Sequence, residues 1–201
     1  MKTEIIDAAN IHHALDVLYK GGIVAFPTDT VYGVGVLAFN NHAIESIYAA
    51  KNRPIEKAIP ILIGGMNDLD KIGRDIPDMA LKFAARFWPG PLTCIIPKQP
   101  ALPAAVSASY TVAVRIPDHP DALNLLRAAG PMAVTSANIS GGENPTTAQE
   151  VYEQLNGRIP LILDGGTTPG GIPSTLVDCT EESPKIIREG PITLENLLSA
   201  L

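Results

Sequence analysis

Residues 8–35, AANIHHALDVLYKGGIVAFPTDTVYGVG, decide the fold class. Ile11, Leu15 and Leu18 recur at i, i+4 and i+7, which predicts a helix over residues 8–19, and Gly21-Gly22 can supply a left-handed cap at its end. The chain then enters residues 23–26, IVAF, a short apolar run of the kind that forms a buried strand. Pro27 ends that strand because proline cannot donate to the ladder. A polar loop, Thr28-Asp29-Thr30, follows at once, and Gly33 and Gly35 allow close backbone approach. Helix, buried strand and hydroxyl-bearing loop in succession are the unit of an α/β sheet, whose ligands sit at strand ends.

The same alternation continues in both directions. A helix fits residues 41–51, with Ala43, Ile47 and Ala50 on one stripe and Pro54 barring its continuation. Further expected elements are a strand at 59–63, a helix at 78–87, a strand at 92–96, a loop of small side chains at 98–109 and a strand at 111–116. That last strand alternates, with Thr111, Ala113 and Arg115 on one face and Val112, Val114 and Ile116 on the other. A helix at 118–129, a strand at 132–134 and a helix at 146–155, capped by Thr146 or Thr147, come next. Three strands at 161–163, 175–179 and 185–188 precede a final helix from residue 194. Late strands without helices between them make the sheet mixed rather than purely parallel. No repeat or linker interrupts residues 1–201, so one domain is expected.

Composition sets the outer limits. Hydrophobic residues at 46% and charged residues at 18% of 201 allow a large core and exclude an intrinsically disordered chain. A formal charge of −6 means that any positive surface must be local, which weighs against broad duplex nucleic-acid binding. Cys94 and Cys179 lie far apart with no CxxC and no nearby His pair, so two reduced, buried thiols are expected rather than a disulfide or a zinc site. No apolar run approaches 18 residues, and the start MKTEIIDAANIHH does not resemble a leader; a cytoplasmic location without membrane contact is the expectation.

No GxxxxGK[ST], GxGxxG, GxSxG or HExxH is present, which disfavours a Walker-type NTPase, a Rossmann enzyme and a serine hydrolase. Four polar segments remain. In Pro27–Gly33 the hydroxyls suit a small polar ligand or an ordinary local turn. In Lys51-Asn52-Arg53-Pro54-Ile55-Glu56-Lys57, Pro54 pushes Arg53 into an extended conformation. Lys51, Arg53 and Lys57 can then converge on one anion, or the group is merely a basic helix C-terminus. Arg115 in an apolar strand requires either a carboxylate partner or an anionic ligand. The run from Val134 to Thr146, through Ser136, Asn138 and Asn144, has the build of an anion-binding nest before a helix, or of a capped loop.

Seven segments then stand in a familiar order: PTDTVYGVG, KNRP, WPGPLT, TVAVRIP, TSANISG, STLVD and IIREGPI, over about residues 15–192. In these the chain resembles the YrdC-like family of threonylcarbamoyl-AMP synthases. The resemblance implies an α/β fold with a twisted mixed sheet and flanking helices around a deep cavity. It also implies a nucleotidyltransferase that forms threonylcarbamoyl-AMP and pyrophosphate from L-threonine, bicarbonate or CO2, and ATP. The product would pass to downstream tRNA-modifying threonylcarbamoyl transferases that act on the adenine beside the anticodon, with no tRNA contact required of this chain. By the same resemblance Thr28, Arg115 and Ser174 are threonine contacts, Arg115 meeting the carboxylate. Lys51, Arg53, Lys57, Thr111, Ser136, Asn138, Asn144 and Arg188 are ATP contacts, Lys51 and Arg53 being catalytic. Mg²⁺ would be held mainly by the phosphates, with no protein metal site, and Asp29 is a possible general base. Two departures stand out: the chain resembles the short type without an extra C-terminal domain, and Ala58–Ile63 lacks a histidine found in some members. A non-catalytic module for double-stranded or ribosomal RNA is the alternative. A carbamoylating relative would need acylphosphatase and zinc-finger regions that are absent from these 201 residues.

Overall fold

The computed structural model describes residues 2–201. Its elements are β1 (Glu4–Asp7), α1 (Ile11–Tyr19), β2 (Val24–Phe26), β3 (Gly33–Leu37), α2 (Asn41–Lys51), β4 (Ile61–Leu62), a 3-10 turn at Met66–Asp68 running into α3 (Leu69–Ile72), α4 (Asp78–Phe87), β5 (Leu92–Pro97), β6 (Thr111–Arg115), α5 (Pro120–Ala129), β7 (Met132–Ser136), α6 (Ala148–Leu155), β8 (Leu161–Asp164), β9 (Thr175–Asp178), β10 (Lys185–Arg188) and α7 (Leu194–Leu198). The strands form one sheet in the order β1-β8-β2-β3-β7-β4-β6-β5-β9-β10. Pairing is parallel for β1–β8, β2–β8, β4–β6 and β5–β9 and antiparallel elsewhere, so the sheet is mixed, as the late strands implied.

Helices cover both faces. Ala14 and Leu18 of α1 pack with Ala122, Leu125 and Leu126 of α5 on one side. On the other, Ile44 and Ile47 of α2, Phe83 of α4 and Val151 of α6 lie in a second cluster. Local chemistry sets the ends. Gly21 at φ +80° closes the turn after α1, as expected. Asn40 accepts from the Ala43 amide at 3.0 Å to start α2, and Asn52, left-handed at φ 51°, ends it. Pro120 opens α5, two residues later than the sequence suggested. Thr147 caps α6 in a box with Glu150.

Three elements depart from the sequence expectation. β1, the turn-helix at 66–72 and β3 were not anticipated, and β3 lies mid-sheet between β2 and β7. A Cβ at Gly33 would meet Val134 Cγ1 at 2.8 Å, and one at Gly35 would meet Val134 Cγ2 at 2.8 Å. The glycines therefore make room for a valine of the adjacent strand.

Candidate active site

Strand register gathers the polar segments. Phe26 pairs with Gly33 and Gly33 with Ser136, which sets the Thr28–Thr30 loop beside the end of β7. Leu92 pairs with Thr175, which sets the start of β5 beside the start of β9, and Thr93 Oγ1 lies 2.7 Å from Ser174 Oγ. Between these ends is a cavity of about 330 Å³, lined by Thr28, Ser136, Asn144, Ser174, Arg53 and Arg188 among others. Six of the expected site residues thus come together from distant stretches.

The hydroxyl end is tightly tied. Thr28 Oγ1 donates to the Val31 carbonyl at 2.7 Å and lies 3.1 Å from Thr30 Oγ1. The cationic side is built twice in the same way. Arg53 donates Nε to Lys57 O at 3.2 Å and Nη2 to Ala58 O at 2.8 Å. Arg188 donates Nε and Nη2 to Ser174 O at 3.2 and 2.8 Å. Backbone carbonyls fix both guanidinium planes and leave both Nη1 groups without a protein acceptor among the described residues. Burial lowers both pKa values from the usual arginine range, Arg115 adding to the effect at Arg188. No carboxylate lines the cavity. Two uncompensated guanidiniums beside hydroxyls form a site for an anion with several oxygens.

Lys51, Arg115 and Asn138 stand behind the wall rather than in it. Lys51 is 1% exposed and donates Nζ to the carbonyl of Ser136. Burial, assisted by the charge of Arg53, lowers its pKa to about 7. Arg115 forms the ion pair that its apolar strand required: Nη2 pairs with Asp29, Nε donates to Gly90 O at 2.9 Å and Nη1 to Thr30 Oγ1 at 3.4 Å. Burial lowers its pKa and Asp29 opposes that shift. Its direct partner is therefore Asp29, and it braces the loop that carries Thr28 and Thr30. Asn138 donates Nδ2 to the carbonyls of Ile139 and Gly142, both at 2.8 Å, so it shapes its own loop instead of reaching into the cavity.

Two expected site residues lie outside the lining of this cavity. Lys57 is exposed, because the Lys57 amide donates to Pro54 O at 3.1 Å and the segment curls into a turn instead of staying extended. Its carbonyl accepts from Arg53 Nε. Thr111 pairs with Pro97 at the far end of β5, about 13 Å of strand away from Arg115, and its hydroxyl meets Ser109 Oγ at 2.9 Å.

Thr30, Tyr32 and Thr93 line the cavity without having been singled out, although PTDTVYGVG and WPGPLT contain them. Thr30 and Tyr32 belong to the hydroxyl-bearing Pro27–Gly33 segment, whereas Thr93 had only its place in WPGPLT to mark it. Tyr32 is fully buried, donates Oη to Gly166 O at 2.7 Å and accepts from Gly165 N at 3.2 Å. Burial pushes its pKa up to about 12, which suits a brace for the 164–166 segment and not an acid or base. Both cysteines are buried and free, as expected. No helix among the described residues is long and apolar enough to cross a membrane.

Comparisons with known proteins place the chain in a family. The threonylcarbamoyl-AMP synthase of Pyrococcus abyssi is 41% identical over 196 residues, which are 96% of this chain and 58% of the relative. That of Bacillus subtilis is 44% identical over 190 residues, 93% of this chain and 55% of the relative. The chain thus spans just over half the length of these relatives. The crystal structure of P. abyssi Sua5 complexed with L-threonine superimposes with a TM-score of 0.95 at 40% identity, over 99% of this chain and 61% of that one. Residues 16–190 match the family described as Sua5_yciO_yrdC, telomere recombination. With residues 16–190 matched in this way, the chain belongs to the Sua5/YciO/YrdC family.

Proposed function

We propose that the cavity binds ATP, L-threonine and bicarbonate and forms threonylcarbamoyl-AMP with release of pyrophosphate. The observation that carries this reading is the pair of arginines, Arg53 and Arg188, each fixed by carbonyls, each with a free Nη1 and neither facing a carboxylate. A carbamate attacking the α-phosphorus of ATP brings two anions together, and fixed cations lower that barrier and stabilise the departing pyrophosphate. Ser136 and Asn144 line the nucleotide side in this assignment, and Thr28 and Ser174 the amino-acid side. Arg115 acts through Asp29 and Thr30 by holding the amino-acid loop. Mg²⁺ enters with ATP on its phosphates, since the lining residues offer no carboxylate to hold it. The volume, about 330 Å³, is in the range of small-molecule sites. The names of the relatives and the L-threonine complex of P. abyssi Sua5 support the substrate class. The product is a mixed anhydride that hydrolyses unless used, so a transferase acting on a tRNA adenine would consume it.

The test is pyrophosphate release by purified protein with components omitted in turn. Release is expected only when ATP, L-threonine and bicarbonate are all present. Equal release with serine in place of threonine, or with no amino acid, would overturn the threonine assignment.

A further inference from the structure

Ser174 is the last residue of the loop before β9, and two contacts from other elements set its side chain. Thr93 Oγ1 of β5 lies 2.7 Å from Ser174 Oγ, and Arg188 Nη2 of β10 donates to the same serine oxygen at 3.2 Å. Both hydroxyl residues are buried, and both line the cavity. Ser174 is the one hydrogen-bond partner of the Thr93 hydroxyl among the described residues. The serine's backbone is hemmed in as well: Gly190 passes so close that a Cβ there would meet the Pro173 carbonyl oxygen at 2.6 Å. Counting protons then fixes what the pair can offer. Two hydroxyls bring two protons; one lies between the two oxygens, and the guanidinium occupies a lone pair of Ser174 without taking a proton. The other proton has no acceptor among the described residues, so the pair is a donor available to whatever fills the cavity.

Resting on the reading above, in which Ser174 faces the amino acid, we propose that Thr93 is a positioning residue for threonine binding: it donates to Ser174, and Ser174 donates to a carboxylate oxygen of the amino acid. A carboxylate is a stronger acceptor than a neutral hydroxyl, so the Ser174 proton turns to the substrate when it arrives. The proton between the two residues then has to come from Thr93. Ser174 so placed accepts from Thr93 and from Arg188 and donates once, with both lone pairs and its proton in use. Accepting from a guanidinium also polarises the hydroxyl and makes it the better donor. A threonine suits the supporting place because its branched side chain is held stiffly within β5, whereas Ser174 sits at the end of a loop. Without that donor Ser174 keeps its contact with Arg188 and loses the one that directs its proton toward the substrate.

Steady-state pyrophosphate release by the full chain, with L-threonine varied at saturating MgATP and bicarbonate, tests this. Thr93→Val keeps the shape and removes the proton; it is expected to raise the KM for threonine about tenfold while kcat and the KM for ATP stay within about twofold. Thr93→Ser returns the hydroxyl and is expected to bring the KM for threonine back to within about twofold of the unsubstituted protein. In a Ser174→Ala background Thr93→Val is expected to add less than about twofold, because the partner through which it acts is already gone. An unchanged KM in Thr93→Val, a raised KM that Thr93→Ser does not restore, or an undiminished effect of Thr93→Val in the Ser174→Ala background would each overturn the proposal and leave the functional reading standing. Thr93→Ala takes the place of Thr93→Val should that variant not fold, and the comparison of valine with serine at position 93 decides should Ser174→Ala be inactive. Absence of threonine-dependent release by the unsubstituted protein would overturn the functional reading instead.

Discussion

Arg53 and Arg188 come from opposite halves of the chain and meet one requirement in one manner, with Nε and Nη2 on backbone carbonyls and Nη1 free. Truncating either leaves the core untouched. We expect Arg53→Ala and Arg188→Ala each to lower pyrophosphate release by about 10²-fold or more while urea unfolding moves by less than about 0.5 kcal/mol. Asp29 is the opposite case. Arg115 is 5% exposed and paired with it, so Asp29→Asn strands a buried guanidinium. The expected loss is about 3 kcal/mol or more in urea unfolding, whatever happens to activity; an unchanged midpoint would show that the pair is not structural. Lys51 gives a pH signature. Its folded pKa, about 7, lies below the unfolded value near 10.5, so between these values the unfolded chain binds more protons and stability rises with pH. Below pH 7 both states carry the proton and the full burial cost is present. Relative to Lys51→Met, the stability of the unsubstituted protein is therefore expected to improve from pH 7 to 9 by up to about 1.4 kcal/mol per unit. Among residues, those whose motif ends a strand were legible in advance, as Ser136 and Arg188 show. The conformation at Lys57 was not, because the turn after Pro54 depends on a backbone hydrogen bond that side-chain spacing does not report.

At the level of elements, helices were the clearest, because an apolar stripe with caps specifies both their existence and their ends. α2 and α4 run over 41–51 and 78–87, as the spacing indicated. β3 was obscured by its glycines, which signal close backbone approach but not a strand; Val134 of β7 is what lies against them. A methyl at Gly35 would also approach Ala133 O at 3.1 Å and Met132 Cε at 3.3 Å, and a backbone carbonyl cannot swing aside. Gly35→Ala is expected to cost roughly 1–3 kcal/mol, read from the denaturation midpoint. A neutral result would mean that β3 and β7 separate more easily than their register suggests. β1 escaped notice because EIID is only four residues long and its side chains are mostly exposed, leaving no buried face to pattern.

For the whole molecule, the mixed α/β class was legible from the alternation of elements, whereas the strand order was not. Periodicity is local, and pairings such as β1 with β8 join segments more than 150 residues apart. That order matters for function because it sets the ends of β2 and β7 and the starts of β5 and β9 around one cavity. An acidic chain of net charge −6 thereby concentrates positive charge in one place. The most direct measurement is a crystal structure of the protein with MgATP and L-threonine bound. The expected result is both molecules in the cavity, with phosphate oxygens on the free Nη1 groups of Arg53 and Arg188 and the amino acid beside Thr28 and Ser174. ATP lodged elsewhere on the surface, with those two guanidiniums facing only water, would contradict the assignment.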